Sequence, residues 1–559
     1  MSKEQILAAL KKGNIKDLKT ALDKVEELNL SYARLTTKQV CFLAEALKTN
    51  DILKHLNLED NKLGYEGAKA LGEVLQTNAT LNHLNLADNE IGDEGAKALG
   101  EALKTNSTLN HLTLVMNEIG DEGAKALAEA LKTNSTLNHL NLEDNEIGDE
   151  GATAFGEVLQ TNATLKQLYL EDNQIGDEGA TALAEGLKTN STLNHLRLSN
   201  NEIGDEGAKA IGEVLKTNST LKMLELSINE IGDEGAKALA EVLKTNATLK
   251  MLELSRNQIG YEVVKALVEA LKTNSTLNHL ALSNNKIGNA GAKALAEVLK
   301  TNSTLNHLNL EDNEIGDEGA TAFGEGLKTN STLKTLELAW NQIGDEGAKA
   351  LAEVLKTNST LKTLELARNQ IGDEGAKALA EGLKTNSCLT NLALGYNNIG
   401  NAEETALAEI IERNKVLATY KEKLNEVQEA AIKAIEAVTA NAINAKEAEA
   451  DKSVWQYQLA IKKNPAPDFF QVEDNNYINK YISSKYFWFI GGCKEIDQTH
   501  PLSLLVTAKD CMAHILSFLK PTSLFPELLT PTNLLPTSFS PYVSEDKSMI
   551  GSVVEETDS

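Results

Sequence analysis

The sequence predicts an α/β solenoid, a horseshoe with a parallel sheet on the concave face and helices on the convex face. Three observations predict it. A frame of 28 residues opens at Leu53 with LKHLNLEDNKLGYEGAKALGEVLQTNAT and restarts at Leu81, Leu109, Leu137 and onward to Leu389, with a degenerate first copy at Val25. Each copy alternates apolar residues with period two and then switches to a helical spacing. All eight prolines lie at or after Pro465, so nothing breaks the repeated region. Self-similarity at a fixed period marks stacked units that share one continuous core. The fourteen copies cover residues 25–416.

Residues 1–24 are amphipathic and read as an N-terminal helical cap. In each repeat the pattern LxxLxLxxNxI makes one strand and one turn. Its fourth and sixth residues, Leu56 and Leu58 in the first full copy, point to the core, and the third, fifth and seventh point away. The ninth residue is Asn from Asn61 to Asn397. Such a column is placed to hydrogen-bond the turn backbone of neighbouring rungs, which otherwise lacks partners. The segment IGDEGAKALAEALKTN follows as a helix. Asp at the thirteenth position is expected as its N-cap, and the next Glu favours the helix dipole. Ala and Leu at positions 16, 19, 20 and 23 supply the buried stripe.

After Asn414 the frame fails. Leu417, Tyr420, Leu424, Val427, Ala431, Ile435 and Val438 keep a three-four spacing, so 417–463 reads as a helical cap or a short coiled coil. Residues 464–520 read as a small aromatic-rich helical region around Phe469, Phe470, Tyr477, Tyr481 and Tyr486 to Phe489. Residues 521–559 read as a Pro-rich flexible tail.

The repeat consensus resembles the leucine-rich repeats of the ribonuclease-inhibitor-like class, to which ribonuclease inhibitor, the Ran GTPase-activating proteins and the sensor region of NOD-like receptors belong. The resemblance covers roughly 70% of the chain and implies the horseshoe. No GxxxxGK[ST] is present, so a nucleotide-binding domain like that of NOD-like receptors is not expected. The stretch Asp510 to Leu524 (DCMAHILSFLKPTSL) resembles the opening of an F-box. That resemblance implies a substrate receptor of a ubiquitin ligase, and the Ran resemblance implies a GTPase activator. Both stand as alternatives, as does a secreted effector acting in a host cytosol.

With 54 basic and 81 acidic residues the formal charge is −27. That opposes nucleic acid and anionic membrane surfaces as main partners. No run of apolar residues is long enough to span a bilayer. Four cysteines without a CxxC pair suggest reduced thiols in a cytoplasmic compartment, with neither a disulfide framework nor zinc. The N-terminus shows no apolar leader. No nucleophile elbow, HExxH or phosphate loop is present. The expectation is a protein-binding scaffold, not an enzyme, with no cofactor and no metal.

Variation among the copies indicates the working surface. The core positions scarcely change, and change concentrates at positions three, five, seven and eight. At position eight, Trp, Tyr, Arg, Met and Ile replace Asp, and at position five Tyr, Arg and Glu replace Asn. Aromatic and Arg side chains are enriched at binding hot spots. Two groups result: Glu337, Trp340, Glu365, Arg368 and Tyr396 over the last three rungs, and Tyr169, Arg197, Ile228 and Arg256 in mid-array. Seven histidines occupy position three: His55, His83, His111, His139, His195, His279 and His307. Metal ligation and acid sensing are two functional readings; the plainer one is an Asn-His-Leu consensus copied by duplication. Nearby acids such as Glu59, Asp60 and Glu143 should favour protonation, and neighbouring His⁺ should oppose it. Glu59, Glu143, Glu171 and Glu311 at position seven make an acidic face that would steer a basic protein partner.

Overall fold

The computed structural model describes residues 3–444. Within them, fourteen three-residue strands, from Glu27–Asn29 to Asn391–Ala393, form one parallel sheet in strict chain order. The repeat length sets the register. His55 pairs with His83, Leu56 with Leu84 and Asn57 with Asn85, and the same shift persists to Glu365 and Ala393. Parallel neighbours need a crossover, and each repeat supplies one helix, such as Asp121–Leu131 or Asp149–Leu159. Rungs of a sheet lie ~4.8 Å apart, whereas packed helices lie about 8–10 Å apart. Equal numbers of each therefore bend the repeat unit with the sheet inside. This is the α/β solenoid that the period predicts.

Two helices, Lys3–Lys12 and Ile15–Leu22, precede the first strand and bury Ile6, Leu10, Leu18 and Leu22 in the shared core. Leu53, Leu56, Leu58, Leu71 and Leu75 of the first full repeat are buried in that core, as are their counterparts along the array. The last helix, Asn401–Asn444, starts as the helix of the fourteenth repeat and runs past residue 417 without a break. The compact repeat unit closes at Lys421. Arg413 donates to the carbonyls of Leu383 and Lys384 at the end of the preceding helix and to that of Asn386 beyond it, and Asn414 Nδ2 donates to that of Leu389. Residues 445–463, the aromatic-rich 464–520, the F-box-like stretch and the tail from 521 lie outside the described residues.

The Asn column bonds as its position suggests. Asn61 Nδ2 donates to the carbonyls of Leu30, Leu58 and Glu59, and its Oδ1 accepts from Leu35 N–H. A second Asn column closes each helix: Asn106 Nδ2 donates to Leu75 O and its Oδ1 accepts from Thr108 and Leu109 N–H.

The thirteenth-position Asp does not cap its own helix. In most repeats, as at Asp121 and Asp149, it is the first helical residue, with Gly at the N-cap and no side-chain cap within the repeat. Instead Asp93 Oδ1 accepts from Gly120 and Gly123 N–H, both 2.8 Å, one repeat downstream. The cap is supplied in trans, because stacking brings each helix start against the next. Two repeats have Tyr65 and Tyr261 in place of that Asp, and the downstream Gly92 and Gly288 then turn to φ +60° and +61°. Their helices start one residue earlier than in the capped repeats.

Candidate protein-binding surface

The eighth residue of every repeat sits where the chain leaves its strand, and its backbone is left-handed. Asp60, Asp88, Asp144, Asp172, Asn200, Asn284 and Asp312 all have φ between 50° and 54°. Asp and Asn tolerate this region better than other side chains. The consensus is therefore a backbone requirement. Met116, Ile228, Arg256, Trp340, Arg368 and Tyr396 share that conformation, with φ from 52° to 60°. Each forgoes the residue that the backbone prefers. A β-branched Ile there is a true outlier, and such positions concentrate at functional sites.

The last three rungs bring their residues together. The Arg368 guanidinium lies 4.0 Å from the ring centres of both Trp340 and Tyr396. Trp340 is 50% exposed and Tyr396 77% exposed. Backbone bonds from Trp340 N–H to Ala367 O and from Arg368 N–H to Gly395 O fix the spacing of the three. Glu337 and Glu365 are cross-strand partners on the adjoining sheet surface. Burial raises the pKa of both carboxyls, and each further acid nearby, Glu365 and Glu311 for Glu337, adds to the rise. Glu337 pairs with His307 at 3.3 Å, and Glu365 accepts from Asn391 Nδ2 at 2.7 Å.

The mid-array group divides. Tyr169 and Arg197 meet on adjacent strands, with the guanidinium 4.2 Å from the ring centre. Arg197 is held between carboxylates, Nη1 at 3.2 Å from Glu171 and Nε at 3.0 Å from Glu225. The second contact lacks the alignment of a hydrogen bond, so Nε is an unsatisfied buried donor. Glu171 is 8% exposed, its Oε2 has no partner among the described residues, and burial pushes its pKa up to about 7. Arg197 is thus engaged inside the protein instead of standing free. Ile228 and Arg256 lie apart from this pair, on the strand-exit row of the next two rungs. The sequence reads Glu171 as part of an open acidic face, and its pairing with Arg197 was not foreseen because nothing within one repeat marks it as buried. Tyr32, 65% exposed at position eight of the degenerate first copy, was also missed; extending that column back by one repeat finds it.

The histidines form two stacks. His55, His83, His111 and His139 stand 4.3, 4.0 and 5.2 Å apart between ring centres, and Tyr169 meets the last edge-on at 4.8 Å. His279 and His307 stack at 4.0 Å. Burial, reinforced by neighbouring imidazoles, lowers His111 and His307 to about 4, and burial also lowers His83, His139 and His195. The help expected from Glu59, Asp60 and Glu143 is absent; one carboxylate, Glu253, opposes the shift, at His307, and desolvation outweighs it. The first stack lines an open depression of about 440 Å³ together with Asn29, Asn57 and Asn85. Among the described residues no group of three or more His, Cys, Asp or Glu is arranged to hold a metal ion, and no helix is long and apolar enough to cross a membrane.

A family profile, the TMOD/LMOD leucine-rich domain, matches residues 89–179, 255–336 and 318–443, together half of the chain. A leucine-rich-repeat profile matches 49–72, 77–100, 189–212 and 217–240. No curated protein matches significantly. An internalin from Listeria monocytogenes is one similar solved structure, 22% identical with a TM-score of 0.45, over 70% of this chain and 93% of its own. Another is actin-binding site 2 of leiomodin-1, 22% identical with a TM-score of 0.26, over 35% of this chain and 96% of its own.

Proposed function

We propose that this chain, which belongs to the leucine-rich-repeat family, is a non-catalytic scaffold that binds another protein through its concave face and strand-exit edge. One observation carries the reading: three successive rungs hold Trp340, Arg368 and Tyr396 in a left-handed conformation that the other rungs mostly fill with Asp or Asn. Selection for folding alone favours Asp or Asn there. In mutual contact, with Trp340 and Tyr396 largely exposed, the three have the composition of a binding hot spot. Thirteen rung spacings make a surface roughly 60 Å long, enough for a folded domain and far more than a metabolite needs. Half-buried acids at positions five and seven favour a partner with basic groups, steered in by long-range field. The free thiols of Cys41 and Cys388 fit a reducing, cytoplasm-like compartment.

The test captures partners on the immobilised full chain and then measures each affinity at two salt concentrations. Actin, the partner named for the leiomodin-1 fragment, enters the panel as one purified probe. Trp340→Ala is expected to weaken binding by about 2 kcal/mol, roughly thirtyfold, with Tyr396→Ala also weaker. Glu59→Gln and Glu143→Gln should slow association and flatten the salt dependence. Parent-like binding by both aromatic variants overturns the reading.

A further inference from the structure

We infer that the last three rungs receive a single Asp or Glu carboxylate of the protein partner, and that Arg368 holds it. The inference rests on the protein-binding reading above and names the chemistry of the contact.

The chain has five arginines: Arg34, Arg197, Arg256, Arg368 and Arg413. Two are spent internally, Arg197 on Glu171 and Glu225, and Arg413 on three backbone carbonyls. Arg368 is placed otherwise. Its guanidinium carbon lies 4.0 Å over the Trp340 ring of the preceding rung and 4.0 Å over the Tyr396 ring of the following one. Its donors make no hydrogen bond or ion pair with any described residue. The strand acids of the Trp340 rung and of Arg368's own rung do not compete, since Glu337 turns to His307 and Glu365 to Asn391. The outcome is a cation held between two rings with its hydrogen-bond donors unpaired among the described residues.

A guanidinium edge is a fork of parallel N–H donors, and a carboxylate is the planar acceptor that fits it in a bidentate pair. Fixing the fork in advance removes most of the side-chain ordering cost of binding. The rings add attraction to the cation without neutralising it. Arg256 supplies an internal comparison. It occupies the same repeat position with the same left-handed backbone, but its neighbours in that row are Ile228 and Asn284, and no ring lies over it. Built on a chain of charge −27, the Arg368 site is a cationic island, so the partner is basic around one acidic anchor.

The experiment selects peptides from a random display library on the immobilised full chain and keeps those whose binding requires Trp340. These are expected to share an Asp or Glu at a fixed place. Changing that acid to its amide should weaken binding to the parent by roughly tenfold or more, and should change nothing on Arg368→Gln. Arg368→Lys keeps the charge but loses the fork, and should bind between the two. The inference is overturned if Trp340-dependent peptides carry no common acid, or if the amide costs as much on Arg368→Gln as on the parent. It is also overturned if a phosphoserine is accepted and Asp and Glu are not. If no selected peptide depends on Trp340, the protein-binding reading of this surface fails with it.

Discussion

The Arg368 guanidinium lies 4.0 Å from the ring centre of Trp340, one rung away at the same repeat position. Tyr396, on the following rung, meets the same guanidinium at the same distance. The contact is possible because the strand-exit residues of three consecutive rungs share one left-handed backbone conformation. Position eight therefore sets a conflict between backbone and surface. Where the surface has no task, Asp or Asn satisfies the backbone; where a large side chain stands instead, the backbone carries the cost.

That cost is measurable at Ile228. It is the β-branched member of the row, with φ 55° and 39% of its surface exposed. Ile228→Asn removes the steric penalty and little packing. Stability should rise by on the order of 1 kcal/mol, read as a higher unfolding midpoint for the full chain. A lower midpoint would mean that the side chain packs better than its exposure suggests.

The Asn column predicts the opposite sign. Asn89 is fully buried. Its Nδ2 donates to the carbonyls of Leu58, Leu86 and Ala87, and its Oδ1 accepts from Asn61 and Leu63 N–H. Asn89→Ala strands these groups away from water, each at about 1–3 kcal/mol before relaxation. A loss of at least about 3 kcal/mol is expected, by chemical denaturation. A loss below about 1 kcal/mol would show that water replaces the side chain.

The repeat period made the sheet, its register and the Asn column legible, because each is a relation between residues at equal positions in adjacent copies. Trans capping was not legible. Asp93 looks like a cap for its own helix until the stack brings Gly120 to it. Arg197 shows the same limit. Its residue type marked it for binding, but Glu171 and Glu225 come from the two flanking rungs and enclose it. The candidate residues were found by comparing copies, and what each one touches was not, since that depends on which neighbour is exceptional.

Trans capping yields a paired prediction. Asp121 Oδ1 accepts from Gly148 N–H at 2.8 Å and Gly151 N–H at 2.7 Å. Asp121→Ala should cost about 1–2 kcal/mol, as loss of an N-cap does, although its own helix keeps all its backbone bonds. Tyr261→Asp should restore the missing cap and stabilise by about 1 kcal/mol. Amide hydrogen exchange should place both effects in the downstream helix. Slowed exchange confined to the helix that begins at residue 261 would contradict the trans arrangement.

The buried titratable groups predict two opposing limbs of stability against pH. His111 and His307 fall from 6.5 to about 4 in the folded chain, chiefly through burial. Between those values the unfolded chain binds more protons, so their contribution makes stability rise with pH over that window and fall on acidification. Glu171 is displaced the other way, from 4.5 to about 7, again chiefly by burial and despite Arg197. Between 4.5 and 7 the folded chain holds its proton and the unfolded chain does not. Its contribution is therefore complete below 4.5 and is lost as pH rises through 7. Glu171→Gln removes that second limb, because the amide is neutral at every pH. The variant should match the parent in slope below pH 4.5, and should gain on it steadily as pH rises toward 8. His111→Asn should instead flatten the acid side, leaving the slope above pH 7 unchanged. Unfolding midpoints of the parent and both variants, measured across this range, separate the two. If the Glu171→Gln and parent curves run parallel through pH 7, the carboxyl is already ionised in the folded chain. The pairing with Arg197 would then outweigh the burial that encloses it.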